Sequence, residues 1–233
     1  MDQDRCASSW PTNAAELLAV QVQLATARPA AWRPPDDRPL VAAGAWVCFP
    51  RGQRGAGARG DRAWAAAALT RGRRLLLSAI VVGEAGAPYE PGLLALREGR
   101  LLEAAVRALG EPADVLLADA TGRDHPRHAG LALHLGTVLG LPTVGITDRP
   151  LVATGAEPGD DRGAYADLRL TGEVVARRLR TRATARPVVV HPAWRTDPDS
   201  AVAVVLATCR GRRTPEPLRL ARRLAREARA RTR

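Results

Sequence analysis

Residues 115–119, VLLAD, constrain the fold more than any other segment: four consecutive apolar side chains closed by a carboxylate. A strand apolar on both sides belongs inside a sheet covered on both faces. A second short apolar run, residues 143–146, follows a helix-like stretch at 127–139. Buried strands alternating with helices indicate parallel pairing. Upstream, residues 40–49, 63–69 and 75–82 are apolar and strand-like, and a Gly/Arg-rich turn (PRGQRGAGARGD) separates the first two. This spacing predicts an antiparallel meander. Residues 93–109 keep their apolar side chains on one helical face.

Three antiparallel strands, then helix, strand, helix, strand, is the order of a ribonuclease H-like core. The expected fold class is therefore α/β, a ribonuclease H-like mixed sheet with helices on both faces. Residues 14–27 read as an amphipathic N-terminal helix and residues 29–39 as a Pro/Arg-rich linker. Residues 153–163 form a loop, and 166–191 hold two or three more strands. Residues 200–209 and 217–230 read as C-terminal helices. The 233 residues suit one domain, 1–233, with 10–35 as N-terminal helix and linker and 196–233 as C-terminal helices.

No apolar run approaches the ~20 residues that span a bilayer. The opening MDQDRCASSW is acidic and polar, unlike a signal peptide. These features predict a cytoplasmic protein with no membrane partner. Cys6, Cys48 and Cys209 show neither CxxC nor zinc spacing, so a disulfide framework is not expected. The net charge is +11, and all 35 basic residues are arginine. A missing lysine reflects base composition. The charge itself suits either a polyanionic partner or a generally basic, solvated surface.

Two acids stand where a metal site needs them. Glu98 follows PYEPGLLALR on a predicted helix, and Asp119 closes the 115–119 strand. Strand carboxyl ends are where α/β sheets place ligands, and hard cations take carboxylate oxygens. Taken singly, each acid is more commonly solvated or a helix cap. The segment DATGRDHPRHAGLALHLG, residues 119–136, then adds His125 close to Asp119. His125 is a candidate metal ligand, phosphate donor or general acid–base, or else a cap for the next helix. His128 and His134 fall on that helix and are expected to pack or face solvent. The C-terminal RLARRLAREARAR reads as a helix whose leucines and alanines form one face and whose arginines are left to solvent or phosphate, a charge run of this kind being usually a solvated face.

The two long motifs, PYxPGLLxxRE at 88–98 and DxxGxxHPRxxGLAxHLG at 119–136, resemble the endonuclease V family. So do Gln21 and Gln23, LPTVG at 141–145, RTR at 180–182 and TPEP at 214–217. The resemblance covers nearly the whole chain. It implies hydrolysis of a phosphodiester 3′ of a deaminated base, notably inosine, in DNA or RNA, with Mg2+ or Mn2+. Glu98 and Asp119 would hold the metal and His125 would assist. Pro88, Tyr89, Pro91, Gly92 and Gly122 would form the strand-separating wedge and lesion pocket, with Tyr89 stacking and Gly122 admitting the displaced base. Glu90, where the family carries an apolar residue, departs from the pattern. Arg97, Arg127 and Arg180 would meet phosphates. The expected partner is nucleic acid and the expected state a monomer.

Three departures weaken this. The first-strand metal-binding aspartate of the family is Trp46, whose side chain offers only a donor nitrogen. The family's lysine after the 143–146 strand is Asp148, and the histidine of its late GHR motif is Trp194. Either cleavage has decayed, leaving a nucleic-acid-binding relative, or Asp148 has become a substitute ligand beside Glu98 and Asp119. Asp124 is a weaker fourth candidate. A scaffold that meets no nucleic acid is the blandest alternative.

Overall fold

The computed structural model describes residues 10–53 and 55–232. Cys6 and the stretch read as unlike a leader lie outside the described residues, apart from its last residue, Trp10. One eight-stranded mixed sheet runs through the chain. Its strands are β1 (Val41–Cys48), β2 (Arg62–Arg71), β3 (Arg74–Glu84), β4 (Val115–Ala118), β5 (Thr143–Thr147), β6 (Tyr165–Leu170), β7 (Glu173–Leu179) and β8 (Val188–Pro192). The spatial order is β3-β2-β1-β4-β5-β8-β7-β6. The first three strands form the expected antiparallel meander. β4 pairs parallel to β1 and to β5, as its double-sided apolarity requires.

Helices cover both faces. Side chains alternate across a strand, so β1 sends Ala43, Ala45 and Val47 to one core and Ala42, Trp46 and Cys48 towards the other face. The first core is roofed by α1 (Ala14–Thr26), α2 (Leu94–Arg107) and α3 (Leu131–Leu139). The opposite face carries α4 (Pro198–Thr208) and α5 (Glu216–Arg231). The alanine-rich β2 is buried on both sides from Ala63 to Thr70. Its small side chains let α5 pack close, with Leu220 and Ala221 on Ala68 and Ala225 on Ala66 and Trp64. Gly44 is required here, because a Cβ would stand 2.3 Å from the Pro217 carbonyl carbon. The TPEP motif thus seats the start of α5 directly on β1.

α3 begins at Leu131, four residues later than the periodicity at 127–139 suggests. The backbone there is turned, not helical: His128 adopts φ +52° and the Arg127 N–H donates to His125 Nδ1 at 3.2 Å. A local side-chain acceptor outcompetes the first helical turn. Among the described residues, no helix is long and apolar enough to cross a membrane. The two described cysteines, Cys48 and Cys209, are buried and free.

Candidate functional site

β1, β4 and β5 bring three positions to one end of the sheet. Ala45 of β1 pairs with Ala118 of β4, so Trp46 and Asp119 follow side by side. Trp46 Nε1 donates to Asp119 Oδ2 at 2.9 Å. Arg222 and Arg226, one helical turn apart on α5, stand over the same indole at 5.2 and 5.1 Å from its centroid. Arg222 also approaches Asp119 Oδ2, at 3.8 Å. The place of the expected first-strand carboxylate is therefore taken by an indole, with two guanidinium groups behind it.

Glu98, on α2, lies close enough to Asp119 for the two carboxylates to repel. It has no hydrogen-bond partner among the described residues. Burial, together with the Asp119 charge and against the pull of Arg97, pushes its carboxyl up to about 8. Burial also raises Asp119, opposed by the Trp46 hydrogen bond and Arg222. The proton-bound form of Glu98 supports the fold fully below its unfolded value near 4.5, and that support is lost as pH rises through about 8. Glu98→Gln is therefore expected to flatten the alkaline decline. Between pH 5 and pH 9 the wild type should lose roughly 4 kcal/mol more than the variant. Urea midpoints at the two pH values measure this, and parallel declines would contradict it.

Asp148 does not complete a carboxylate triad. It lies just past the end of β5, where Arg213 Nη1 holds it at 2.7 Å and keeps its carboxyl below the usual range. Asp124 fails as a fourth ligand because both oxygens accept backbone N–H groups, from Leu151, Val152 and Ala153. Among the described residues, no three His, Cys, Asp or Glu side chains gather as a metal-holding group. With one oxygen of Asp119 engaged by an indole, Asp148 held by Arg213 and no third carboxylate gathered beside Glu98 and Asp119, the residues present do not fit a hard divalent ion, which takes several oxygen ligands.

His125 is a structural link in this geometry. It is buried, its Nδ1 accepts from the Arg127 backbone, and its Nε2 lies 3.1 Å from the Gly92 carbonyl. That pair of partners selects the neutral tautomer with the proton on Nε2. Burial lowers its pKa to about 4, so it is no poised acid–base group near neutrality. Gly92 O also accepts from Gln21 Nε2 at 3.0 Å and Arg127 Nη2 at 3.0 Å. This one carbonyl ties α1 and the 123–130 turn to the loop carrying Pro88, Tyr89 and Pro91.

The three arginines expected to meet phosphates point inward. Arg97 is buried under Phe49 and bonded to Asp61 and the Ala87 carbonyl. Arg127 binds Gln21 and Gly92. Arg180 donates to the carbonyls of Gly159, Ala185 and Pro158. Each is committed to acceptors within the protein, most of them loop carbonyls. Gly122 likewise has a packing reason: a Cβ there would lie 2.3 Å from the Pro192 carbonyl oxygen of β8. The sequence marks the arginine run of this helix without singling out Arg222 and Arg226, whose spacing of four on an amphipathic helix was the available signal.

Beside Asp119 opens a cavity of about 350 Å³, lined among others by Tyr89, Gly92, Leu94, Asp119, Thr121 and His125. That volume falls within the ~300–1,000 Å³ range of small-ligand sites. Tyr89 stands half-exposed at its rim. A small notch lined by Asp119, Asp148, Arg213 and Arg222 adjoins it, and Arg222 leads from the notch into a wider groove along α5.

A mixed sheet with acids at the ends of its central strands, beside a base-sized cavity, defines a ribonuclease H-like protein of the nuclease class. A family model described as Endonuclease V matches residues 43–223. Endonuclease V of Methanopyrus kandleri is 39% identical over 227 residues, covering 96% of this chain and 93% of that one. The crystal structure of Endonuclease V from Streptomyces avermitilis superposes with a TM-score of 0.84 at 35% identity, covering 94% of each chain. Endonuclease V of Ciona intestinalis, in complex with a 24mer DNA containing an inosine followed by a ribo-adenosine, shares the fold. Its TM-score is 0.73 at 19% identity, covering 92% of this chain and 96% of that one. The chain belongs to the Endonuclease V family.

Proposed function

We propose that this protein reads deaminated bases, inosine above all, in DNA or RNA of the cytoplasm, and that its phosphodiester cleavage is disabled. The observation that carries the proposal is the Trp46–Asp119 hydrogen bond, which supports reading Trp46 as the replacement of the family's metal-binding carboxylate. The recognition half rests on the cavity beside Tyr89 and on the inosine-containing DNA held by the Ciona relative. A displaced base would enter the cavity while Tyr89 replaces the stacking left behind, worth ~1–3 kcal/mol per base. Glu90 beside Tyr89 adds a negative charge to the tip of this loop.

The surviving Glu98–Asp119 pair favours a second reading, residual turnover with Mg2+ or Mn2+. One assay decides between them: an inosine-containing strand incubated with either ion, with product and complex both quantified. Tight binding without product is expected. Robust cutting would overturn the disabled-site reading. Tyr89→Ala should weaken inosine-strand binding by about tenfold, in line with one lost stacking contact. Unchanged affinity for the inosine strand would remove the wedge role.

A further inference from the structure

The groove along α5 is lined by Arg51, Arg219, Arg222, Arg223, Arg226 and Glu227, five cations against one acid. Its volume is about 440 Å³. Glu227 lies 3.7 Å from Arg223 and Glu216 is bonded to Arg219, while Arg226 has no ion pair among the described residues. Arg222 carries a further unmet requirement: its Nε is buried without a hydrogen-bond partner. Trp46 holds both guanidinium groups in place by offering them one aromatic surface, a contact arginine favours. The groove is also connected. Arg222 lines both the groove and the notch, and Asp119 lines both the notch and the cavity beside Tyr89.

We propose that Arg222 and Arg226, braced on Trp46, bind the phosphodiester backbone of a nucleic-acid strand without any metal ion, and that the α5 groove is its track. Guanidinium groups recognise phosphate oxygens through paired N–H donors. Arg222 thus provides cationic charge beside Asp119, where a metal-dependent relative would use a bound ion, and Arg226 extends that charge along the groove. The assignment deepens the reading above by naming where the backbone runs. It does not depend on which base enters the cavity, so the two can fail separately.

The test is fluorescence anisotropy with a 15-nucleotide single strand, undamaged or carrying one inosine, in EDTA across a salt series. Wild-type binding should be the same with EDTA as with Mg2+. The double change Arg222→Gln and Arg226→Gln should weaken binding to both strands about equally. It should also reduce the salt slope by about 1.4, because each single-strand phosphate contact contributes ~0.7. The matched control, Arg107→Gln with Arg169→Gln, removes the same charge elsewhere and should leave the slope nearly unchanged. Arg226→Glu alone, at an exposed position, should weaken binding at least about tenfold and guards against a misfolded pair. An unchanged slope in the glutamine pair, an equal loss in the control, abolition of wild-type binding by EDTA, or wild-type affinity in Arg226→Glu would each overturn the assignment. Polyglutamate binding as tightly as the oligonucleotide would overturn nucleic acid as the ligand. Loss of inosine preference with the slope effects intact would instead sink the lesion reading alone.

Discussion

Acidification from pH 7 to pH 4 is expected to unfold this protein, through histidines rather than through its carboxylates alone. His125, His134 and His191 are buried, and burial lowers each below the ordinary value of 6.5. For His125 and His134 the value falls to about 4. His134 lies against the Trp10 ring, 4.3 Å between centroids, with its Nδ1 unpaired. His191 bonds to Thr147 from the interior of β8. At these three imidazoles the folded state therefore binds fewer protons than the unfolded chain, a deficit that the raised carboxyl of Glu98 offsets only in part. Stability is intact above about 6.5 and is lost as pH falls towards 4. Two shifts of this size cost roughly 7 kcal/mol at acid pH, before His191 adds to them. That approaches the ~5–15 kcal/mol total of an ordinary domain. Tryptophan fluorescence against pH should show a steep transition between pH 6 and pH 4. His134→Leu should move its midpoint to lower pH. An unmoved midpoint would exclude His134 as a determinant.

Replacing Trp46 by aspartate should make stability depend on a divalent ion, which the wild type should ignore. The indole packs among Ala66, Ala68 and Leu224 while bonding to Asp119. Its removal costs ~3–5 kcal/mol by analogy with other large-to-small changes. The introduced carboxylate would also repel Glu98 and Asp119. A cation offsets both repulsions, and stabilises by ~2.7 kcal/mol at a hundred times its dissociation constant. Melting curves of Trp46→Asp should therefore rise with Mn2+ or Mg2+ and fall with EDTA, and wild-type curves should not respond. Cleavage of an inosine strand is the second readout. Wild-type melting that rises equally with Mn2+ would show that Glu98 and Asp119 suffice to hold the ion.

The sheet was legible in the sequence because its signals are local. VLLA is apolar on both faces, and the meander runs are separated by turn residues. The start of α3 was not, because a histidine nitrogen five residues ahead of its N-cap captures a backbone N–H. The family motifs located Glu98, Asp119 and Tyr89, and the gap at Trp46 was plain. What the gap contains was hidden: an indole donor, and two arginines contributed by α5, far along the chain from Trp46. Composition counts arginines but not their direction. Arg97, Arg127 and Arg180 looked like phosphate ligands and bond loop carbonyls within the protein instead. Asp148 looked available and is held by Arg213.

The Gly92 carbonyl, with donors from Gln21, His125 and Arg127 converging on it, bears on how a lesion would be met. A loop anchored in this way has little freedom left to surrender on contact, so ordering entropy subtracts little from its affinity. The base is the partner that has to move. Discrimination at this site should therefore follow how easily a nucleotide leaves its stack, with mismatched or unpaired bases admitted ahead of well-stacked ones.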